Sequence, residues 1–281
     1  LSVAPMPGDT RPIGVFDSGM GGLTVLRALM ARLPGEHFVY LGDTARLPYG
    51  TKSPETVQAY ALQATRLLLE EGVKMLVIAC NTASAVAIHM LEEAWRPIPV
   101  IGVIEPGARA GVAATRNRRI AVIATEGTVK GGAYARAIRK LMSDADIMQQ
   151  PCQVFVALAE EGWTSTPATL AAAEHYLGTL FRNPSSPDTL VLGCTHFPVL
   201  AAAIRQVVGS SVTMVDSAET TAAAVTEALD RAGLKSETAA SRGGARFLAT
   251  DSPERFARVG AIFLGRPIEP ASVELVDLGG L

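Results

Sequence analysis

Along the chain, short apolar runs alternate with stretches in which apolar residues return every three or four positions. Ile13–Asp17 is the first run, and a glycine-rich turn ends it. Leu23, Leu26, Leu29, Met30 and Leu33 then recur at helical spacing until Pro34-Gly35 stops them. His37–Leu41 reads as a second strand. Pro54 opens a helix whose apolar positions include Val57, Tyr60, Ala61, Ala64, Leu67 and Leu68, and Gly72 closes it. Val73–Ala79 is a continuous apolar strand, with helix from Thr82 onward. Val100–Val103, Ile120–Ala124, Thr189–Leu192 and Val212–Val215 are further strands, each followed by a helical pattern. Leu234–Gly244, rich in Ser and Gly, reads as an exposed loop before the last strand. Residues 1–12, with three prolines, read as a loose arm.

Unbroken Val, Ile and Leu runs between helices predict an α/β protein, its mostly parallel sheet covered on both faces. Ligands of such sheets bind beyond the carboxyl ends of the strands, which directs attention to the residues just after each strand. Two of these ends match. One is Val77-Ile78-Ala79-Cys80-Asn81-Thr82 and the other is Val191-Leu192-Gly193-Cys194-Thr195-His196. Each is an apolar strand, a small residue, a cysteine, then polar groups entering a helix. About 110 residues separate them, the spacing of two related half-domains.

Composition narrows the picture. A length of 281 residues allows one large domain or two smaller ones. With 48% hydrophobic and 19% charged residues the chain is not intrinsically disordered. Twenty-five basic residues against 27 acidic ones give a net charge of −2, which argues against a nucleic-acid binder relying on bulk charge. No apolar run approaches a membrane span, and the N-terminus lacks the apolar core of a signal peptide. The three cysteines, Cys80, Cys152 and Cys194, are too sparse for a disulfide framework and point to a reducing compartment. No C-x-x-C, H-E-x-x-H, phosphate loop or strand-linked G-x-G-x-x-G occurs, so neither a metal nor a nucleotide cofactor is expected.

A thiol at the start of a helix is placed to react, because the helix N-terminus favours the thiolate. A cysteine can equally be a small buried apolar residue, which is the better reading for Cys152. Two thiols in matching turns, with no metal or cofactor, suit inversion of a carbon centre. A base removes a proton from one face and an acid returns one to the other. The roles swap in the reverse direction, so the two groups should be chemically alike. Only a few per cent of an ordinary thiol is ionised at neutral pH, so each needs a proton acceptor or a field. Asp17, at the end of the first strand, is a candidate, or else a turn former. His196 lies two residues after Cys194. Glu160 falls in Leu158-Ala159-Glu160-Glu161-Gly162, which also reads as a solvated helix end. Gly19, Gly21 and Gly22 let backbone N–H groups approach an anion. Ser18, Asn81, Thr82 and Thr195 supply hydroxyl or amide groups, and Pro48-Tyr49-Gly50 reads as a rigid turn presenting one N–H and one ring.

Four segments, Phe16-Asp17-Ser18-Gly19-Met20-Gly21-Gly22-Leu23, Leu47-Pro48-Tyr49-Gly50, Ala79-Cys80-Asn81-Thr82-Ala83-Ser84 and Gly193-Cys194-Thr195-His196-Phe197-Pro198, resemble the glutamate racemases, which are cofactor-independent two-cysteine racemases. Ala124-Thr125-Glu126-Gly127-Thr128-Val129 and Val215-Asp216-Ser217-Ala218 are similar to further family segments. The resemblance implies interconversion of L- and D-glutamate, with D-glutamate feeding peptidoglycan synthesis in the bacterial cytoplasm. It implies Cys80 as the group acting on D-glutamate and Cys194 as the group acting on L-glutamate. Asp17 would assist Cys80, and Glu160 and His196 would assist Cys194. Asp17, Ser18, Tyr49, Gly50, Asn81, Thr82, Thr195 and His196 would line the substrate site. The implied fold is two similar doubly wound α/β domains, residues 13–104 with 216–281 and residues 105–215, with the site in the cleft between them. Homodimers are common in the family, and neither nucleic acid nor membrane is an expected partner. The family's Cys-Pro and Pro-Leu-Val-Glu run is replaced by Cys152-Gln153 and Ala157-Leu158-Ala159-Glu160, which leaves Glu161 as an alternative to Glu160. A related racemase of aspartate, or a small-anion binder with incidental cysteines, remains open.

Overall fold

The computed structural model describes residues 8–236 and 243–279. The strands are β1 Ile13–Asp17, β2 Phe38–Gly42, β3 Met75–Ile78, β4 Val100–Gly102, β5 Arg119–Ala124, β6 Asp146–Pro151, β7 Thr189–Gly193, β8 Thr213–Asp216, β9 Ala245–Ala249 and β10 Val273–Leu275. The helices between them are α1 Leu23–Arg32, α2 Pro54–Glu70, α3 Asn81–Ala94, α4 Ile104–Ala114, α5 Glu126–Gly131, α6 Ala133–Leu141, α7 Gln153–Glu160, α8 Pro167–Phe181, α9 Ala201–Val208, α10 Ser217–Ala232 and α11 Pro253–Leu264. Proline at the first turn marks α2, α8 and α11, where the missing N–H costs nothing. Ser53 and Thr166 cap α2 and α8 by accepting the N–H of Thr56 and Thr169.

Two sheets form, ordered β10-β9-β2-β1-β3-β4 and β6-β5-β7-β8, and every pairing is parallel. The second sheet repeats the β2-β1-β3-β4 order of the first, so β3 and β7 hold the same place in their sheets. The matching cysteine turns follow these two equivalent strands. In each half the direction of winding reverses at the first strand, β1 or β5, where a parallel sheet opens a crevice. The last two strands, β9 and β10, extend the first sheet beyond β2, so the C-terminal part of the chain completes the first sheet.

Apolar residues alternate sides along each strand and feed three clusters. Phe16, Leu76 and Ile78 pack with residues of α2 and α3 on one face of the first sheet. Ile120, Val122 and Val191 pack with α4 and α6 on one face of the second. The remaining faces share one continuous cluster, in which Ile13 and Val15 of β1 join Ala121 and Ile123 of β5 through residues of α1, α7, α9, α10 and α11.

Four segments differ from the sequence reading or extend it. β6 and β10 were not anticipated. Both are edge strands, and β6 is half-buried and polar at Asp146, Gln149 and Gln150, so it carries no apolar run. Of the expected arm, residues 1–7 lie outside the described residues. Asp9 and Pro12 are held through their carbonyls by the Lys74 ammonium and the Lys74 N–H. Of the expected loop, residues 237–242 lie outside the described residues, and two strands follow it rather than one. Lys74 itself is buried and paired with buried Glu36 at 2.6 Å, and Glu36 also accepts the Ser236 N–H at 2.7 Å. Among the described residues no helix is long and apolar enough to cross a membrane.

Candidate active site

Cys80 follows β3 and is the N-cap of α3, its sulfur accepting the Ala83 N–H at 3.5 Å. Its thiol donates to Ser18 Oγ at 3.5 Å. Burial pushes this thiol up to about 12, and the nearby Asp17 carboxylate pushes in the same direction. Cys80 is therefore a thiol at neutral pH unless something takes its proton. Asp17, at the end of β1, is fully buried; one carboxylate oxygen accepts the Gly19 N–H at 3.0 Å and the other, Oδ1, has no partner. Burial raises its pKa, opposed by the His196 charge and by backbone N–H groups.

Cys194 follows β7 and has different neighbours. Its sulfur lies 3.7 Å from His196 Nδ1, and His196 Nε2 lies 3.1 Å from Glu160 Oε1. Glu160 Oε2 accepts from Arg255 Nη2 at 2.9 Å. A line of four side chains thus runs from a buried sulfur to a half-exposed guanidinium. Burial alone would lower the His196 pKa, but the hydrogen bonds to Cys194 and Glu160 outweigh it and lift it to about 10. Burial works to raise Glu160, yet the bonds and charges of His196 and Arg255 hold it below the usual carboxylate range. The group is thus built to keep an imidazolium beside the sulfur and a carboxylate behind the imidazolium. The His196 ring also packs edge-on against Phe263, with centroids 5.1 Å apart. Of the two neighbouring glutamates, Glu160 is the one that reaches His196.

The strand ends of the two sheets interlock at this point. Thr82 Oγ1 bonds to the hydroxyls of Thr125 at 3.0 Å and Thr128 at 3.3 Å. Tyr134 donates to Asn81 Oδ1 at 2.8 Å, while Asn81 Nδ2 is buried without a partner. Thr24 donates to the Thr195 carbonyl at 3.1 Å. Gly21 leaves no room for a side chain: a Cβ there would sit 2.6 Å from both His196 Nδ1 and Thr195 Oγ1. Gly50 is similarly tight against Thr125. The Tyr49 hydroxyl is taken by Asp43, and its ring packs near Phe16 and Tyr60, so the buried Gly50 is the part of that turn that meets Thr125. Asp17, Ser18, Cys80, Asn81, Thr82, Cys194, Thr195 and His196 lie at strand ends, Glu160 lies at the end of α7, and Tyr49 and Gly50 lie in a short turn beyond β2.

Four contributors were not singled out there. Thr125 and Thr128 sit in a recognised segment, and their hydroxyls after β5 were a usable signal. Tyr134 and Arg255 lie on helix faces and carry no local signature. Cys152 is buried, its thiol donating to the Gln150 carbonyl at 3.6 Å with its pKa pushed up by burial, and it takes no part in the relay. Among the described residues no group of three His, Cys, Asp or Glu side chains is placed to hold a metal ion.

Residues 13–226 match the Asp/Glu/hydantoin racemase family. A glutamate racemase of Geobacter metallireducens is 48% identical over 255 residues, covering 91% of this chain and 93% of that protein. Among solved structures, a glutamate racemase isoform from Bacillus anthracis superposes with a TM-score of 0.89 at 37% identity, covering 95% of this chain and 98% of its own. A Francisella tularensis glutamate racemase crystallised with D-glutamate gives 0.88 at 38% identity, covering 96% and 98%.

Proposed function

Because the chain belongs to the Asp/Glu/hydantoin racemase family, we propose that it interconverts L- and D-glutamate with Cys80 and Cys194 as the two acid/base groups and no cofactor. In the L-to-D direction, Cys194 acts as the thiolate of an ion pair with the His196 imidazolium, which Glu160 stabilises. The thiolate takes the Cα proton of L-glutamate, and the C–H electron pair stays on the planar carbanion. The Cys80 thiol gives its proton to the opposite face. In the D-to-L direction Cys80, assisted by Asp17, removes the proton and Cys194 supplies one. Nothing is gained or lost apart from an exchange of hydrogen, so no oxidant or reductant is needed.

The observation carrying this reading is the pair of buried thiols at topologically equivalent strand ends, each with its own proton partner. The two unpartnered polar atoms support the substrate class. Asp17 Oδ1 is an acceptor suited to an ammonium, and Asn81 Nδ2 is a donor suited to a carboxylate. Ser18, Gly50, Thr82, Thr195 and His196 complete the lining, with Tyr49 setting the Gly50 turn. The proposal extends to the domain division at 13–104 with 216–281 and 105–215, to a homodimer, and to supply of D-glutamate for peptidoglycan in the bacterial cytoplasm.

Solvent exchange tests it. Either enantiomer of glutamate, incubated with the protein in deuterated water without additives, acquires deuterium at Cα as the centre inverts. Absence of exchange from both enantiomers overturns the assignment, and exchange confined to aspartate moves it to a different substrate.

A further inference from the structure

Arg255 stands outside the family motifs, yet it is the last member of the relay behind Cys194. It sits in the first turn of α11, the helix that follows β9 of the first sheet. Glu160 ends α7, the helix that follows β6 of the second sheet. Their 2.9 Å ion pair therefore crosses from one sheet's helices to the other's, between residues 95 positions apart in the chain. Glu160 is buried, with 10% of its side chain exposed, whereas Arg255 is 41% exposed. The two carboxylate oxygens are divided between partners: Oε1 faces His196 and Oε2 faces Arg255.

We propose that Arg255 is a positioning residue for racemisation, an interdomain clasp that turns the Glu160 carboxylate toward His196 and so holds the imidazolium beside Cys194. The inference rests on the two-thiol reading above. A carboxylate bound only by His196 is free to rotate about its last torsion, and one bound on both oxygens is not. The charges facing Glu160 are His196 from the turn after β7, Arg255 from α11 and, through space, Asp17 from the end of β1. Arg255 is the cation that opposes the burial of Glu160 from outside the catalytic group. Removing it makes Glu160 easier to protonate, and a neutral Glu160 no longer stabilises an imidazolium beside Cys194.

The test compares Arg255→Met, which keeps length without charge, with Arg255→Lys, which restores a point charge. Rates are measured from both enantiomers between pH 5 and pH 9. In Arg255→Met, kcat/KM at pH 5 falls about tenfold relative to wild type, with a loss of less than about threefold at pH 8. The acidic limb of the profile moves toward neutrality, and Arg255→Lys moves it back. The enantiomers have equal free energy, so kcat/KM must fall equally in both directions. Unequal effects are confined to the split between kcat and KM, with the larger kcat loss from L-glutamate, where Cys194 must ionise. A uniform rate loss at all pH values, or a lysine variant no better than methionine, overturns the clasp. An unchanged profile in Arg255→Met does the same. Failure of the wild-type protein to racemise glutamate removes the functional reading instead, so the two failures are distinguishable.

Discussion

Gly21→Ala is a one-methyl perturbation with a calculable effect. Gly21 does not adopt a left-handed backbone, so alanine is free of conformational strain there and only space is at issue. The added Cβ lies 2.6 Å from His196 Nδ1 and Thr195 Oγ1, and 2.7 Å from His196 Cε1. Relief requires a displacement of about 1 Å, and the imidazole has nowhere easy to go. It is buried, bonded to Glu160 at 3.1 Å, and stacked edge-on against Phe263. A misplacement of about 1 Å in a catalytic group costs on the order of 100-fold in rate, or about 2.7 kcal/mol of barrier. Overpacking costs roughly 1–3 kcal/mol of stability, which leaves a folded protein. Racemisation followed by circular dichroism from each enantiomer should show kcat/KM reduced by about 100-fold in both directions. Gly244→Ala, where no atom lies within 4 Å of the added carbon, serves as the control and should match wild type. If Gly21→Ala retained kcat/KM within about threefold, the claim that this glycine spaces the relay would be wrong.

Three further outcomes are expected. Cys80→Ala and Cys194→Ala should each lower racemisation by about a thousandfold or more, and near-normal turnover in either refutes the two-thiol scheme. Lys74→Met leaves the Glu36 carboxylate buried without its cation, so chemical denaturation should reveal a loss of about 3–5 kcal/mol, partly recovered by adding Glu36→Gln; a loss below about 1 kcal/mol would remove the pair from the fold's support. The raised His196 pKa predicts stability that is fully present below its ordinary value of 6.5 and is lost as pH rises through about 10. The melting temperature should therefore fall across that window in wild type and stay flatter in His196→Gln, and parallel curves would contradict the assignment.

Sequence patterning captured what depends on local periodicity and on matched turns. Continuous apolar strands such as Val73–Ala79 announced buried parallel sheet, and the Ala-Cys and Gly-Cys strand ends announced the paired thiols. What escaped it was of two kinds. Edge strands escaped because half their surface faces water: β6 reads Asp-Ile-Met-Gln-Gln-Pro and has no run to detect. Partners brought together only by topology escaped as well. An arginine on the first turn of an exposed helix looks like any surface charge until α11 and α7 are placed side by side. Tyr134 is equally silent until α6 packs its hydroxyl against Asn81. The Asp17 assignment sits between these cases. Its place at the end of β1 was legible, but the Cys80 thiol donates to Ser18, and Asp17 bears on Cys80 through space.

The unlike surroundings of the two sulfurs have a kinetic consequence. Under the proposed two-thiol scheme, a proton has moved from one thiol to the other once L-glutamate leaves as D-glutamate, and the empty protein would differ from the form that began. In that scheme one empty form would turn over only the L isomer and the other only the D isomer. Returning between them requires protons to travel through solvent or through the relay, a step that involves no substrate. At high substrate concentration this reset, rather than carbon chemistry, can become the slow event. Arg255, with 41% of its side chain exposed, is the member of the line that reaches water, whereas Glu160 is buried. Turnover would then depend on how quickly an unoccupied protein recovers its charge pattern, a property that no complex with bound substrate displays.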